Sequence, residues 1–328
     1  MPSQQGRRVV ITGANSGIGY AAALELARHG AEVVLPARSL SKSREAIERI
    51  RREVPAATLH PATLDLASLS SVRSFATEFS AGFPEGSINL LINNAGVMAV
   101  PTRELTPDGF ERQFATNYLG PFLLTALLYS HIKQETGSRI VIVSSSASNF
   151  GKIRFDNLQS ERAYSPMWGA YAQSKLADLI FATELQRRLA AIKSPVIAVA
   201  AHPGYAITNL QTSGPGASGG YLLQRLMARL LRPIASQDAA HGALPTLFAA
   251  TASEAEPGGY YGPDRMMQMK GHPVSVPIAK GAKDLDTAAR LWSETEKLIA
   301  TRFDVGLAQH SVSAESRQVT SLWKVPSY

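Results

Sequence analysis

Arg7-Arg8-Val9-Val10-Ile11-Thr12-Gly13-Ala14-Asn15-Ser16-Gly17-Ile18-Gly19 stands near the start of this 328-residue chain, and it leads into Tyr20–His29 and Gly30. Residues Arg7–Thr12 form a short run rich in β-branched side chains that reads as a buried strand. Tyr20–His29 carries helical periodicity and stops at Gly30, a residue suited to closing a helix. Between them lies a loop with three glycines. Glycine lets the backbone approach a bulky anion, and the amino end of a helix offers unpaired N–H groups to it. Strand, glycine loop and helix in that order form the context in which such a loop holds the pyrophosphate of a dinucleotide. A plain glycine-rich turn is the simpler reading, and the flanking strand and helix argue against it.

Outward from this unit, strand-like runs recur at Glu32–Leu35, Thr58–Leu64, Ile88–Ile92, Arg139–Val143 and Val196–Ala201, with helical patterns between them. Alternation of this kind predicts an α/β fold with a doubly wound parallel sheet of about seven strands and helices on both faces. The 45% hydrophobic content suffices for one large core. No composition shift or long linker divides the chain, so residues 1–303 read as a single domain. Asp286–Phe303 reads as its terminal helix, with Leu291, Trp292 and Leu298 on one face. The polar tail 304–328 is open to two readings, disordered or docked on a neighbouring subunit of a homo-oligomer.

Composition excludes several classes of function. Cysteine is absent, which removes disulfides, thiol catalysis and Cys-ligated metals. The seven histidines are scattered without paired ligand spacing, so no metal site is expected. No apolar run reaches the ~18 residues of a membrane span. The polar residues Met1–Gly6 run straight into the first strand and read as no signal peptide, which predicts a soluble, cytoplasmic protein. The formal net charge is +7, with basic clusters at Arg44–Arg52 and Arg187-Arg188. No nucleic-acid module accompanies them, so they read as solvated helix faces.

The chemistry concentrates in Tyr171-Ala172-Gln173-Ser174-Lys175. On a helix, positions four apart share a face. A phenol ionises near pH 10, and a fixed cation beside it favours the phenolate. The pair is thus a candidate proton donor and acceptor for an alcohol–carbonyl interconversion. The pattern alone is weak, because Tyr129-Ser130-His131-Ile132-Lys133 repeats it. That copy precedes the strand Arg139–Val143 and falls at the amino ends of the strands, whereas ligands of open α/β sheets bind at the carboxyl ends. It reads as structural.

Cofactor choice is legible after the second strand. A site selective for NAD carries an acid about 20 residues past the glycine loop. Here the region reads Leu35-Pro36-Ala37-Arg38-Ser39, with no acid. The Arg38 guanidinium matches a 2′-phosphate, so NADP(H) is expected over NAD(H). The simpler reading gives Arg38 only a place at the start of the next helix, yet Ser39 or Ser41 can cap that helix without it.

The glycine spacing is Thr-Gly-x-x-x-Gly-x-Gly from Thr12 to Gly19, and four further stretches follow in order: Asp65-Leu66, Asn93-Asn94-Ala95-Gly96, Asn117 and Ser144-Ser145-Ser146. With Tyr171 and Lys175 they resemble the short-chain dehydrogenase/reductase family over about residues 7–300. Within it, Gly151-Lys152-Ile153, Asn157–Glu161, Ser174–Ala177 and His202-Pro203-Gly204 are most similar to the retinol dehydrogenase and WW-domain oxidoreductase subgroup. Many animal members of that subgroup carry an N-terminal membrane anchor, and this chain is expected to depart from them there.

The resemblance implies a catalytic set of Asn117, Ser145, Tyr171 and Lys175. Ser145 would donate to the carbonyl oxygen and Tyr171 would deliver the proton. Lys175 would hold the nicotinamide ribose, and Asn117 would kink its helix and position a water. Asn-x-x-Gly is also compatible with a simple helix irregularity. In an extended strand Ser145 shares a face with Val141 and Val143, and Ser146 takes its place if the strand ends in a bulge. For the cofactor, the resemblance implies Gly13, Asn15, Ser16, Gly17, Ile18 and Gly19 in the loop. It places Asp65 and Leu66 at the adenine, Asn94, Ala95 and Gly96 beneath the ribose, and Pro203, Gly204, Ile207 and Thr208 over the nicotinamide. His202 reads as structural.

Ser145 and Tyr171 stand 26 residues apart, wider than in many family members. The intervening segment, which contains Phe150, Phe155, Tyr164, Met167 and Trp168, is expected to wall the substrate pocket, and Tyr205–Arg232, with Tyr205 and Leu210, to form a lid. Core packing is the simpler role for each aromatic. Mostly apolar walls suit a small lipophilic carbonyl or alcohol. The leading reading is an NADPH-dependent carbonyl reductase. A secondary-alcohol dehydrogenase of a natural-product or steroid-like pathway is the nearest alternative. An NADP-sensing scaffold is the reading outside catalysis, and it is disfavoured because serine, tyrosine and lysine are all kept.

Overall fold

A computed structural model describes residues 1–204 and 238–306. One sheet holds eight strands: β1 (Arg8–Ile11), β2 (Glu32–Ala37), β3 (Leu59–Thr63), β4 (Leu90–Asn93), β5 (Arg139–Val143), β6 (Ile197–Ala201), β7 (Tyr260–Arg265) and β8 (Lys270–Ser275). Their order is β3-β2-β1-β4-β5-β6-β7-β8. The first seven are parallel and β8 runs antiparallel to β7. The helices that matter below are α1 (Gly17–Arg28), α2 (Leu40–Glu53), α3 (Leu69–Gly82), the short α4 (Arg112–Phe114), α5 (Gly120–Leu128) and α6 (Ala172–Ala191). Two more span Ala239–Thr251 and Leu285–Leu298.

The central strands β1, β4, β5 and β6 are hydrophobic because both of their faces are covered. Side chains alternate between faces along a strand. Val9 and Ile11 join a core with α1, α2 and Ala239–Thr251. Val10 joins the opposite core with α3, α5, α6 and Leu285–Leu298. Each fully buried valine, leucine or phenylalanine contributes roughly 1.5–3 kcal/mol of transfer free energy, so the two apolar layers fix the sheet between them.

The expected doubly wound sheet is present, with one strand more than the seven anticipated. β8 reads Lys270-Gly271-His272-Pro273-Val274-Ser275, polar and interrupted by glycine and proline. Such a segment lacks the apolar signature of a central strand, and an edge tolerates it. The terminal helix is also shorter than the expected Asp286–Phe303. Asp284 caps its start by accepting from the Asp286 and Thr287 backbone N–H groups, and Ala300 takes a left-handed φ of 50° just past its end. Phe303 nevertheless stacks on Trp292, with ring centroids 5.2 Å apart. The expected lid at 205–232 and the tail from residue 307 lie outside the described residues.

The chain winds outward through β1, β2 and β3, then returns to place β4 on the other side of β1. The connections leaving β1 and β4 therefore diverge, and a crevice opens at their carboxyl ends.

Candidate active site

That crevice is a cavity of about 600 Å³. Its lining includes Gly13, Asn15, Ser16, Gly17, Ile18 and Gly19 from the loop after β1, and Arg38 after β2. Asp65 and Leu66 line it after β3, as do Asn94, Ala95 and Gly96 after β4. Tyr171, Lys175 and Pro203 close the far end. Residues expected from six separate stretches of sequence thus converge on one wall or another of a single space.

The glycine loop is held by polar contacts that demand glycine. Thr12 Oγ1 accepts from the backbone N–H groups of Asn94 and Ala95, both at 3.0 Å, and Asn94 Nδ2 donates to the Thr12 carbonyl at 2.8 Å. The strap leaves no room at Gly19, where a Cβ would sit 2.4 Å from Asn94 Nδ2 and 2.5 Å from the Gly13 carbonyl oxygen. Gly13 adopts φ +71°, and a Cβ there would meet Ala95 at 3.0 Å. Ser16 precedes α1 in extended conformation and makes no side-chain cap, which leaves the first-turn N–H groups to a ligand anion. A narrow backbone cradle at a helix amino terminus fits a dinucleotide pyrophosphate.

Arg38 lies just past β2 and is exposed. Ser39 caps α2 by accepting from the Lys42 N–H at 3.4 Å, so helix initiation does not require Arg38. Lys42 lines the cavity as well and adds a second cation that sequence reasoning missed. Its position one turn into α2 was the available signal. Asp65 Oδ1 accepts from the Ala67 N–H at 3.0 Å, which fixes the turn after β3.

Asn117 sits in a π-helical turn, Ala115–Leu119, between α4 and α5. The helical run Arg112–Leu128 continues through this turn and carries its irregularity at Asn117. The Asn117 side chain accepts from the Val97 N–H at 2.7 Å and donates to the Val97 carbonyl and Ser174 Oγ, both at 2.9 Å. A Cβ on Gly96 would stand 3.1 Å from Asn117 Oδ1 and 3.5 Å from Lys175 Nζ. Gly96 and Lys175 line the cavity, and Asn117 is buried behind them.

The three serines after β5 separate by their contacts. Ser144 is buried and donates to the Lys175 carbonyl at 2.6 Å, which commits it to holding α6. Ser145 begins the turn Ser146–Phe150, and its Oγ accepts from the Ala147 N–H at 3.2 Å. Its hydroxyl hydrogen has no acceptor among the described residues. Tyr171 ends a π-helical segment, Pro166–Tyr171, that runs into α6, and it is 6% exposed against Ala147 and Met167. Lys175 Nζ donates to the Val143 carbonyl at 3.0 Å and to Asp178 Oδ2 at 2.7 Å. Asp178 was not singled out from sequence, although its place one turn beyond Lys175 was visible.

The aromatic residues of the 150–169 segment divide. Phe150 and Trp168 are exposed, form an edge-to-face pair at 5.4 Å and do not line the cavity. Tyr164 donates to the Val100 carbonyl and accepts from Gln113 Nε2, and burial pushes its phenol up to about 12. Its hydroxyl serves the fold. The remaining wall comes from Val97–Pro101 and Glu104–Pro107, which carry no motif and escaped sequence reasoning. Gly204 has φ +67°, and a Cβ there would stand 2.4 Å from the Met269 carbonyl oxygen. His202 is fully buried, accepts from the Gly204 N–H through Nδ1 and contacts Gln268 through Nε2, and burial lowers its pKa to about 4. It is a neutral, structural imidazole. Tyr205, Ile207, Thr208 and Leu210 lie outside the described residues. Among the described residues no group of side chains suits a metal, and no helix is long and apolar enough to cross a membrane.

Comparison with known proteins places this geometry. The family profile described as short chain dehydrogenase matches residues 7–215. Retinol dehydrogenase 12 of Mus musculus is 38% identical over 91% of this chain and 88% of its own length. Polyprenol dehydrogenase of Mus musculus is 40% identical over 91% of this chain and 85% of its own length. A crystal structure of an uncharacterised protein of Mycobacterium paratuberculosis is 40% identical, covers 92% of this chain and 97% of its own, and superposes with a TM-score of 0.73. The chain belongs to the short-chain dehydrogenase/reductase family and is retinol dehydrogenase-like within it. It is an oxidoreductase of the carbonyl/alcohol type, in a family that binds nicotinamide cofactors.

Proposed function

We propose that the protein interconverts a lipophilic carbonyl compound and its alcohol with NADP(H), and that Tyr171 carries the proton. The observation behind this reading is the union of Arg38, the glycine cradle, Tyr171 and Lys175 in one cavity. The cradle fits the cofactor through the crowding at Gly13 and Gly19, and Arg38 with Lys42 would meet a 2′-phosphate. When bound, the nicotinamide supplies or accepts the hydride. The chain's own groups handle the rest. Ser145 presents a hydroxyl hydrogen to the substrate oxygen and stabilises the charge that develops there. Tyr171 Oη gives that oxygen a proton in reduction and takes it back in oxidation. Lys175 fixes a positive charge near the phenol and has a third N–H for a ribose hydroxyl. Asn117 braces Val97 and Ser174, so the cavity wall keeps its shape.

The two relatives are named for retinol and polyprenol, long apolar alcohols. Retinal, polyprenal and bulky aromatic ketones are therefore the first substrates to offer. NADPH consumption with at least one of them, and NADP reduction with the matching alcohol, are the expected results. Tight nucleotide binding with no turnover in either direction across such a panel would leave a nucleotide-sensing scaffold in place of an enzyme.

A further inference from the structure

The proposed chemistry uses Lys175 but leaves its closest ionic partner without a role. Asp178 follows Lys175 by three residues on α6, so the two side chains share a face. Asp178 is 1% exposed and Lys175 5%. Asp178 Oδ2 accepts from the ammonium at 2.7 Å, whereas Oδ1 is buried and has no hydrogen-bond partner among the described residues. A buried carboxylate with one oxygen unserved is costly to the fold, and truncating one member of a buried ion pair leaves the other charge stranded. A side chain chosen only for packing at this position would be apolar.

Resting on the function proposed above, we propose that Asp178 is a positioning residue that acts through Lys175. It supplies the negative charge and the acceptor that hold the ammonium between the end of β5 and Gly96, in reach of Tyr171. The ionisable groups acting on the pair come from each packed element. Tyr171 lies on the same helical run, Tyr118 comes from the π-turn, and Tyr260 comes from β7. Burial raises Tyr118 and Tyr260 well above the ordinary phenol range, so both stay neutral at working pH. Asp178 is the carboxylate that acts on Lys175. Burial pulls the ammonium toward its neutral form, and Asp178 followed by Tyr171 outweighs it, leaving Lys175 above its ordinary value. Burial likewise lifts Asp178, to about 7, with Lys175 drawing it back. The two upward shifts pull opposite ways on the salt bridge. The 2.7 Å contact decides for the ion pair, since only an ammonium and a carboxylate gain fully from it.

With Asp178 neutralised, Tyr171 alone would oppose the effect of burial, and Lys175 would give up its proton at lower pH. The test is the pH dependence of NADPH affinity, followed by fluorescence, alongside the pH dependence of kcat/KM for wild type, Asp178→Asn and Asp178→Glu. In Asp178→Asn the alkaline loss of both quantities should begin about one pH unit or more lower than in wild type. Asp178→Glu, which keeps the charge, should return most of that shift. A profile for Asp178→Asn that superposes on wild type overturns the proposal and leaves the enzyme reading intact. Wild type that binds no nucleotide overturns the proposed function and this inference with it. If Asp178→Asn does not fold, the charge-free double variant Lys175→Met/Asp178→Leu decides through its thermal melting. A folded double variant traces the defect to a stranded ammonium and supports the pairing, and an unfolded one overturns it.

Discussion

Tyr129–Lys133 and Tyr171–Lys175 carry the same Tyr-x-x-x-Lys spacing, yet the fold uses them in opposite ways. At the first, Tyr129–His131 is a short 3₁₀ turn, and Ile132 is already extended and bridges to Ile88. The helix stops inside the pattern, so the two side chains part. Tyr129 enters the core against Phe303, with ring centroids 5.6 Å apart, and Lys133 pairs with Glu135 at the surface. At the second, the helical run continues unbroken from the π-helical turn into α6, and both side chains are buried. The two sites also lie at opposite ends of the sheet. Tyr129–Lys133 stands beside the approaches to β4 and β5, while Lys175 reaches the Val143 carbonyl at the exit of β5. Spacing nominates a pair of residues. Helix continuity and the choice of sheet edge decide whether that pair can do chemistry.

Four substitutions test this contrast. Tyr171→Phe should lower turnover by about 10³-fold, in line with the loss of a general acid, while NADPH affinity stays near wild type. Turnover that survives would remove Tyr171 from the proton path and erase the distinction between the two sites. Gly19→Ala should weaken NADPH binding roughly 10- to 100-fold, because its Cβ must displace Asn94 or the Gly13 carbonyl. Undiminished affinity by calorimetry would show that the carboxyl edge is not where the nucleotide sits. Arg38→Ala should raise the NADPH dissociation constant by about tenfold and leave NADH unchanged, since an exposed charged hydrogen bond contributes modestly. Equal effects on both nucleotides would deny Arg38 its discriminating role. Lys133→Met should be nearly silent, with turnover within about twofold of wild type and a small shift in melting temperature, as for exposed ion pairs generally. A large loss of turnover in that variant would break the comparison outright.

Much of the architecture was open to reading before any coordinates. Buried parallel strands are apolar on both sides, so β1 to β6 stand out from their surroundings. β8 did not, because an edge strand can be polar and can hold Gly271 and Pro273 without cost to the core. The motif-bearing wall of the cavity was legible through Gly13, Arg38, Asp65, Asn94, Tyr171 and Lys175. The opposite wall, Val97–Pro101 with Glu104–Pro107, was not. It is defined by where a loop lies, and loops carry no periodicity. Phe150 and Trp168, expected in a pocket wall from aromatic composition, are exposed and paired edge to face.

The sequence by itself determined the order of strands and helices, the glycine loop and the separation of one tyrosine–lysine pair from its duplicate, because these depend on local periodicity and on the side of the sheet a segment must reach. The tertiary structure alone decided which of three adjacent serines is tied to α6, which wall Lys42 joins, and that Asp178 lies buried against Lys175. Those outcomes rest on contacts between residues brought together by the two apolar layers, and on burial, which turns a turn-to-turn neighbour on a helix into the counter-charge of the Lys175 ammonium.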